Sequence, residues 1–371
     1  MADRTPLYEE HVRLGARLVE FAGYLMPQQY TSIRAEQLAV RQSAGLFDLC
    51  HMGRLEVTGR GAFQFLQESL TNDLGRIGPG RAQYTLLCNE AGGIIDDLVV
   101  YWIGEARFHV VINGSTHEKD VELLRGRLKG DVQIRDVSNE VSLLALQGPK
   151  VEQFLPAATD LGNVPYFGLT QTEVCGVRGM VSRTGYTGED GFEIFVPAEH
   201  AVQVWRGILE NSAAPGAVLP CGLGARDVCR LEAGLRLYGS DMDESTNPYE
   251  AGLGWTVRLQ KGEFVGRESL TRVKENGAER MTHGIRTPAR VIPRHGTRVV
   301  HDENDVGEVT SGTYSFFLNS GIGMVRVKRD SAKPGDELQL DMRGQAAVAN
   351  VVEMPFYRGS VKMPAPARST A

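Results

Sequence analysis

The pattern of the chain changes near residue 260, and this change constrains the fold more than any other feature. Before it, segments with apolar residues at helical spacing alternate with short strand-like segments. After it, short strand-like segments alternate with turns rich in glycine and proline, as at Pro334-Gly335-Asp336. A chain of 371 residues is also too long for one ordinary core. The sequence predicts three segments: an α+β region over 1–260, a linker over 261–280 and a C-terminal β-barrel over 281–371.

The first region predicts helices mixed with antiparallel strands. Three strands, joined by tight turns at Gly92-Gly93 and near Gly104, are predicted over 82–89, 94–103 and 107–112. Residues 11–21 have apolar side chains at helical spacing, and a long helix is predicted from Gly222 to Leu237. This mixture indicates the α+β class and not a doubly wound parallel sheet.

Charge and composition exclude several classes of protein. The net charge is −6 and the pI about 5.8, whereas duplex-binding proteins usually carry a strong basic excess, so no nucleic-acid partner is expected. No apolar run approaches the roughly 18 residues of a membrane helix, so no membrane association is expected. The first residues are polar and resemble neither a signal peptide nor a basic transit segment, which predicts a cytoplasmic location.

The cysteines and histidines predict neither a disulfide framework nor a metal site. The five cysteines are odd in number, and no two of them have C-x-x-C spacing. The eight histidines are scattered and form no cluster with cysteine. We therefore expect reduced thiols and no bound metal.

Two adjacent carboxylates, Asp96 and Asp97, precede a very apolar strand. Because side chains alternate along a strand, the two carboxylates should face opposite ways, and Asp97 should share a face with Val99 and Tyr101. A carboxylate among apolar and aromatic groups can act as an acid, a base or a charge stabiliser. The alternative is that both aspartates only cap the turn of a hairpin.

Two further segments are candidates for ligand binding. The segment from Arg183 to Glu193 contains three glycines, which would let the backbone approach a ligand, although it could equally be an ordinary hairpin loop. Arg226 and Arg230 are one helical turn apart and could hold a carboxylate together, or Arg230 could pair with a nearby acid such as Glu232. The segment Gly222 to Asp227 is an incomplete dinucleotide motif, so nucleotide binding is not expected. These features indicate a small-molecule enzyme without naming its substrate.

These residues also carry a family resemblance that extends from Thr5 to Val361. The chain resembles the T-proteins of the glycine cleavage system, which are aminomethyltransferases. The matching motifs occur in the family's order along the whole chain: Thr5 to Tyr8, Phe21 to Tyr24, Gly45 to Asp48, His51-Met52, Gly92 to Leu98, Leu146 to Pro149, Arg183 to Glu193, Gly222 to Asp227, Arg230 to Gly234, Leu237 to Gly239, Thr310 to Thr313 and Pro355 to Arg358.

The resemblance implies a fold and a reaction. The expected fold is a cloverleaf of two ferredoxin-like α+β parts and a C-terminal β-barrel around a cavity for tetrahydrofolate. The expected reaction transfers the one-carbon unit of an aminomethyl group, carried on the dihydrolipoyl arm of the lipoylated H-protein, to tetrahydrofolate. Ammonia is released and 5,10-methylene-tetrahydrofolate is formed, and no metal takes part.

The resemblance also assigns residues of this chain to roles. Asp97 matches the catalytic carboxylate, which would orient the pterin and offset positive charge on the transferred carbon. The residues expected to bind substrate or folate are Met52, Tyr84, Tyr101, Asn113, Tyr186, Glu193, Arg226 and Arg358, with Lys362 as a weaker candidate in the same C-terminal tail.

Two rival functions and two candidate docking surfaces follow from the same residues. The rivals are a folate-dependent transferase with another carbon donor and a non-catalytic folate-binding or RNA-maintenance protein. For docking an acidic carrier, the sequence offers the helix of Arg226 and Arg230 together with Arg236, or a run of arginines in the barrel region; these arginines could instead form only a solvated face. That run consists of Arg286, Arg290, Arg294 and Arg298, with His295 among them.

Overall fold

A computed structural model describes residues 2–211, 216–288, 291–342 and 344–361. The α-helices in this part of the chain are α1 (Tyr8–Arg13), α2 (Ile33–Gln42), α3 (Ala62–Ser69), α4 (His117–Gly126), α5 (Val151–Phe154), α6 (Ala201–Glu210), α7 (Leu223–Glu232) and α8 (Arg267–Asn276). None of the described helices is long and apolar enough to cross a membrane.

The strands of the first region form a hairpin and two larger sheets. They are β1 (Arg17–Phe21), β2 (Tyr24–Gln29), β3 (Ala44–Asp48), β4 (Gly53–Thr58), β5 (Arg81–Cys88), β6 (Ile94–Gly104), β7 (Arg107–Ile112), β8 (Gln133–Asp136), β9 (Val141–Gln147), β10 (Leu169–Val174), β11 (Val177–Ser182), β12 (Gly191–Pro197) and β13 (Val218–Pro220). One sheet is antiparallel with the order β5-β6-β7-β4-β8, and the other has the order β10-β11-β12-β9-β3-β13. In the second sheet, β13 pairs in parallel with β3.

The last six strands close into a barrel in the order β14-β17-β16-β15-β18-β19. They are β14 (Arg280–Thr287), β15 (Arg298–His301), β16 (Asn304–Ser315), β17 (Ser320–Lys328), β18 (Glu337–Asp341) and β19 (Ala346–Val352). Small β-branched residues such as Val309, Val325 and Val327 are fully buried and fill the barrel interior. The predicted α+β class with a C-terminal β-barrel is confirmed.

The two larger sheets each have a core, and a third apolar layer lies between them. Helices α3 and α4 cover the first sheet around Leu66 and Leu124, and α6 covers the second around Trp205. The layer between the sheets contains buried residues from both, among them Tyr101 of β6 and Phe195 of β12. This layer brings β6, β12 and α7 together, and it contains the candidate site.

Two predicted helices differ from the observed elements. Residues 11–21 do not form one helix, because Gly15 adopts a φ of +72° after α1 and the chain continues as β1. The helix predicted to reach Leu237 ends at Glu232, followed closely by Gly234 at a φ of +70°. In both places a glycine in the left-handed region accompanies the end of the helix.

Candidate active site

Three neighbouring strands position the Asp97 carboxylate. Asp97 lies near the start of β6 and is half-buried. Its Oδ2 accepts a hydrogen bond from the Tyr84 hydroxyl at 3.0 Å, and its Oδ1 accepts one from Nδ2 of Asn113 at 2.9 Å. Tyr84 projects from β5, where Leu86 is the residue directly opposite Asp97, so Tyr84 and Asp97 are diagonal neighbours on one face. Asn113 directly follows β7.

The surroundings of Asp97 bring its pKa into the physiological range. Burial and then the negative charge of Asp96 raise the pKa of Asp97 to about 7, against the opposing effect of the hydrogen bonds from Tyr84 and Asn113. A carboxyl group with this pKa can be charged or neutral near pH 7. It can therefore accept or donate a proton, or stabilise a positive charge when ionised.

Asp96 faces the opposite side of β6, as the alternation of side chains predicts. It is fully buried and accepts hydrogen bonds from the backbone N–H of Asn113 at 3.0 Å and from Nδ2 of Asn113 at 2.8 Å. One asparagine thus contacts both carboxylates, which the strand pattern did not predict. The alternative that the aspartates cap the turn is wrong, because Asn89 closes that turn with Gly93.

A tyrosine–glutamate hydrogen bond joins the two sheets beside this carboxylate. The Tyr101 hydroxyl of β6 donates to Oε2 of Glu193 on β12 at 2.6 Å. The hydroxyl of Thr184 donates to the same oxygen. Burial, and then the charge of Glu193, raise the pKa of Tyr101 well above its usual range, so Tyr101 stays a neutral donor. Glu193 is thereby fixed next to the face of β6 that carries Asp97.

Helix α7 contributes the guanidinium group of Arg226 to the site. The Arg226 guanidinium lies 4.7 Å from the ring centroid of Tyr186, and its Nη2 is 3.9 Å from Sδ of Met52. Arg226 forms no ion pair within the described ranges. Burial lowers the pKa of Arg226, although a guanidinium stays charged at neutral pH. An unpaired, partly desolvated guanidinium beside an aromatic ring is suited to bind an anionic group of a ligand.

Arg230, one turn further along α7, is not available to a ligand. Its guanidinium pairs with Asp241 at 2.6 Å and with Asp227 at 2.8 Å, and its side chain is buried. The idea that both arginines hold one ligand is therefore wrong. The alternative, that Arg230 pairs with an acid of the protein, is confirmed. The partners are Asp227 and Asp241 and not Glu232.

The glycine-rich loop over residues 183–193 packs against protein. A Cβ on Gly185 would lie 1.9 Å from Oε1 of Gln147, so this glycine serves close packing. Arg183 is buried and pairs with Asp190 at 2.6 Å and with Glu152 at 2.5 Å. The loop therefore connects two strands of a hairpin and is held in place by these contacts. Its role at the site is to position Tyr186 and Glu193.

The predicted site residues are brought together with one exception. Coulombic interactions connect Arg226 with Tyr186, Glu193 and Asp97, and the contacts above add Met52, Tyr84, Tyr101 and Asn113. Arg358 is exposed and has no hydrogen bond or ion pair within the described residues. Lys362 lies outside the described residues.

Two residues at the site were missed in the sequence. The ring of Trp255 stacks on Tyr84 with centroids 5.8 Å apart, and 55% of Trp255 is exposed. His51 is buried, and burial followed by the charge of Arg226 lowers its pKa to about 3, so it is neutral. Periodicity could not identify Trp255, because it lies in a single 3-10 turn, Gly254–Thr256, which is too short to show a pattern.

The site combines a carboxylate, aromatic rings and a guanidinium, which are the kinds of side chain that bind a small molecule with a ring and an anionic group. The chain matches the family models of the GCVT N-terminal domain over residues 7–261 and of the glycine cleavage T-protein C-terminal barrel domain over residues 280–358. It therefore belongs to the aminomethyltransferases, the T-protein family of the glycine cleavage system, which are tetrahydrofolate-dependent transferases.

Relatives with the same architecture support this assignment. The chain is 48% identical to an aminomethyltransferase of Geobacillus kaustophilus, with 96% of this chain and 99% of the relative covered. It is 41% identical to that of Bacillus subtilis, with 96% and 100% covered. The crystal structure of glycine cleavage system aminomethyltransferase T from Bartonella henselae superposes with a TM-score of 0.90 at 32% identity and covers 98% of this chain and 100% of that one.

Proposed function

We propose that this chain transfers the one-carbon unit of the S-aminomethyl-dihydrolipoyl H-protein to tetrahydrofolate. The products are ammonia, the dihydrolipoyl H-protein and 5,10-methylene-tetrahydrofolate. The observation that carries the proposal is the Asp97 carboxylate, held by Tyr84 and Asn113 and close enough to interact electrostatically with Arg226, whose guanidinium lies over the ring of Tyr186 and forms no ion pair among the described residues. Family membership supplies the reaction, and these residues match what the reaction requires.

The side chains of the site fit tetrahydrofolate in chemical character. The pterin of tetrahydrofolate has a planar pyrimidine ring, and Tyr84, Tyr101 and Tyr186 provide aromatic side chains against which such a ring can pack. It also has carboxylates, and Arg226 is a guanidinium without a partner among the described residues. Glu193 and Asn113 are polar groups that can hydrogen-bond a heterocycle. We propose that these residues and Met52 bind folate, with Arg358 as a further contact from the C-terminal tail.

The reaction balances without an external oxidant or reductant. The transferred carbon loses its bonds to nitrogen and to sulfur, and it gains bonds to N5 and N10 of tetrahydrofolate, which supplies the two nucleophiles. Two N–H protons leave these nitrogens, one for ammonia and one for the lipoyl sulfur. Because the carbon becomes electron-poor when the amine leaves, a nearby negative charge should lower the barrier. We assign that charge to Asp97, which a half-buried, hydrogen-bonded setting makes effective.

A reconstituted assay tests this function. Purified enzyme is mixed with aminomethyl-loaded H-protein and tetrahydrofolate in the presence of a chelator, because we propose that no metal takes part. We expect release of ammonia that depends on tetrahydrofolate and equals the methylene-tetrahydrofolate formed. H-protein without its lipoyl group serves as the control and should be inactive. Folate-dependent transfer from another methyl donor, without transfer from the H-protein, would favour the rival transferase function.

A further inference from the structure

A buried carboxylate holds the C-terminal tail against the loop between β11 and β12. Glu189 of this loop is buried, and its Oε2 accepts hydrogen bonds from the backbone N–H of Ser360 at 2.9 Å and from the Ser360 hydroxyl at 2.6 Å. The oxygen of the same hydroxyl accepts a hydrogen bond from the backbone N–H of Asp190 at 3.0 Å. Oε1 of Glu189 accepts from Arg41 at 2.9 Å, so the carboxylate itself is fixed. Residue 360 is therefore fastened to the loop.

Gly359 lets the tail approach this loop closely. A Cβ on Gly359 would lie 2.3 Å from the backbone oxygen of Gly188 and 2.9 Å from Cδ of Glu189. Ordinary contacts between carbon atoms are about 3.5–4.0 Å long, so a side chain at position 359 would push the tail away from the loop. Gly359 does not have a positive φ, so the glycine provides space and is not required by the backbone conformation.

A second anchor fixes the tail on the other side of Arg358. The backbone N–H of Tyr357 donates to the backbone oxygen of Glu232, the last residue of α7, at 2.9 Å. The Tyr357 ring also lies 4.5 Å from the guanidinium of Arg41, which pairs with both Glu189 and Glu232. The Arg358 side chain, in contrast, is exposed and forms no hydrogen bond or ion pair with the part of the chain that the structure describes. The backbone of Arg358 is thus held on both sides while its guanidinium is left for a ligand.

Both anchors belong to segments that carry residues of the candidate site. Glu189 follows Tyr186 by three residues in the same loop. Glu232 follows Arg226 by six residues on α7, which corresponds to about 9 Å along the helix axis. The guanidinium of Arg226 and the ring of Tyr186 are themselves only 4.7 Å apart. Arg358 is therefore held between the two segments that carry Tyr186 and Arg226.

We propose that Glu189 is a positioning residue: through Ser360 it holds the tail on the loop, so that Arg358 is kept in place to bind a glutamyl carboxylate of tetrahydrofolate. An arginine on an unanchored segment would lose backbone and side-chain freedom when it binds, and this loss would weaken the contact. Anchors at residues 357 and 360 remove the backbone part of that cost before the ligand arrives. The proposal rests on the proposed function in treating Arg358 as a folate contact.

Gly359→Ala tests the proposal, because the added methyl group displaces the tail without changing any charge. We expect the dissociation constant of tetrahydrofolate, measured by titration calorimetry, to rise about fivefold in Gly359→Ala and equally in Arg358→Met, the size of effect typical of an exposed ion pair. The two changes should not add in the double variant, because both remove one contact. The diamide of tetrahydrofolate, in which both glutamyl carboxylates are amides, should bind equally to the wild type and all three variants. Gly104→Ala, where a Cβ meets no atom within 4 Å, is the matched control and should bind as the wild type does.

Three results would overturn the proposal. Wild-type affinity in Gly359→Ala, with weaker binding in Arg358→Met, would show that Arg358 does not need the anchored tail. Additive losses in the double variant, or an equal loss for the diamide, would show that the change loosens the site as a whole. Wild-type affinity in Arg358→Met would remove Arg358 from the folate site without affecting the transferase function, which the assay with H-protein tests in the wild-type enzyme. If Gly359→Ala does not fold, Ser360→Ala, which removes the hydroxyl that Glu189 binds, is measured in its place with the same expectations.

Discussion

At the scale of single residues, the surroundings of Asp97 have two opposite effects on the ionisation of its carboxyl group. Burial disfavours the charged form of the carboxylate, while the Tyr84 hydroxyl and the Asn113 amide favour it by donating hydrogen bonds. The result is a group that can carry a negative charge near neutral pH and is partly removed from water. Such a charge acts more strongly on a developing positive centre than the same charge in bulk solvent.

The pKa of Asp97 predicts how the activity depends on pH. Its folded pKa is raised to about 7, so the carboxyl group is mostly protonated below that value. If the ionised form is the active one, kcat/KM should fall about tenfold per pH unit well below pH 7 and level off above it. The measurement is kcat/KM for tetrahydrofolate between about pH 5.5 and 8.5. A profile that stays flat through this interval would show that ionisation of Asp97 is not required.

Arg226 makes a prediction about ligand affinity. Arg226→Met keeps the length and apolar contacts of the side chain but removes its charge. Because hydrogen bonds to charged groups contribute about 1.5–3 kcal/mol, the dissociation constant of tetrahydrofolate should rise at least about tenfold. Arg178→Met, at an exposed position of β11, is the matched control and should bind as the wild type does. Unchanged folate binding in Arg226→Met, measured by titration calorimetry, would remove Arg226 from the binding site.

At the scale of secondary-structure elements, the loop between β11 and β12 depends on one buried ion cluster. Arg183 donates to both oxygens of Asp190, at 2.8 and 2.6 Å, and pairs with Glu152 on α5 at 2.5 Å. Its guanidinium also donates to the backbone oxygen of Val164 at 3.0 Å. The loop that carries Tyr186 is therefore anchored at its base.

Arg183→Met should destabilise the whole fold, because it leaves the Asp190 carboxylate buried without its cationic partner. Breaking a buried ion pair in this way costs about 3–5 kcal/mol in the free energy of unfolding. Urea denaturation measures the loss, with Arg178→Met as the exposed arginine control from the preceding strand. A loss below about 1 kcal/mol would mean that the cluster contributes little to stability.

Some elements could be predicted from the sequence for clear physical reasons. The strands β5, β6 and β7 begin and end within one residue of their predicted bounds, because glycine turns separate segments with period-two alternation or long apolar runs. Residues 11–21 misled the prediction, because a spacing that fits a helix also fits the end of α1 followed by a short strand. The contacts that assemble the site, such as Tyr101 with Glu193, join residues far apart in sequence. Only the resemblance to a known family indicated them.

At the scale of the whole molecule, a buried ion-pair cluster of the first region accepts hydrogen bonds from the barrel and from the tail. Arg41 on α2 pairs with Glu189 at 2.9 Å and with Glu232 on α7 at 2.6 Å. Ser315 of β16 donates to Glu232, and the backbone N–H of Ser360 donates to Glu189 at 2.9 Å.

We propose three segments, 1–260, 261–280 and 281–371, with the middle one as a linker. It contains α8, whose Leu270 packs under the turn at Gly92.

At this scale we can predict how the docking of the H-protein depends on salt. Arg226 and Arg230 lie inside the structure, which leaves the arginines of the barrel region as the docking candidate. In that region Arg294 is exposed, Arg298 pairs with Asp341 at 3.2 Å, and Arg290 lies outside the described residues. If charge steers docking, the KM for H-protein should rise steeply with salt, whereas that for tetrahydrofolate should change little. Steady-state kinetics over a series of salt concentrations measure both constants.

Charge reversal locates the docking surface. Replacing Arg290 and Arg294 together with glutamate should raise the KM for H-protein and leave folate affinity unchanged, because the change opposes an acidic partner without touching the cavity. Arg178→Glu, which makes half of that charge change on another surface, is the control. If the double variant binds H-protein as tightly as the wild type at low salt, docking occurs elsewhere.

The central claim is that Asp97 carries the aminomethyl transfer to tetrahydrofolate, and Asp97→Asn tests it most directly. The amide keeps the size of the side chain and removes its charge, so an effect on the transition state should appear in kcat. We predict that kcat falls at least about a hundredfold while the dissociation constant of tetrahydrofolate changes by less than about threefold. Turnover near the wild-type value in Asp97→Asn, or a loss accounted for by weaker folate binding, would contradict the account.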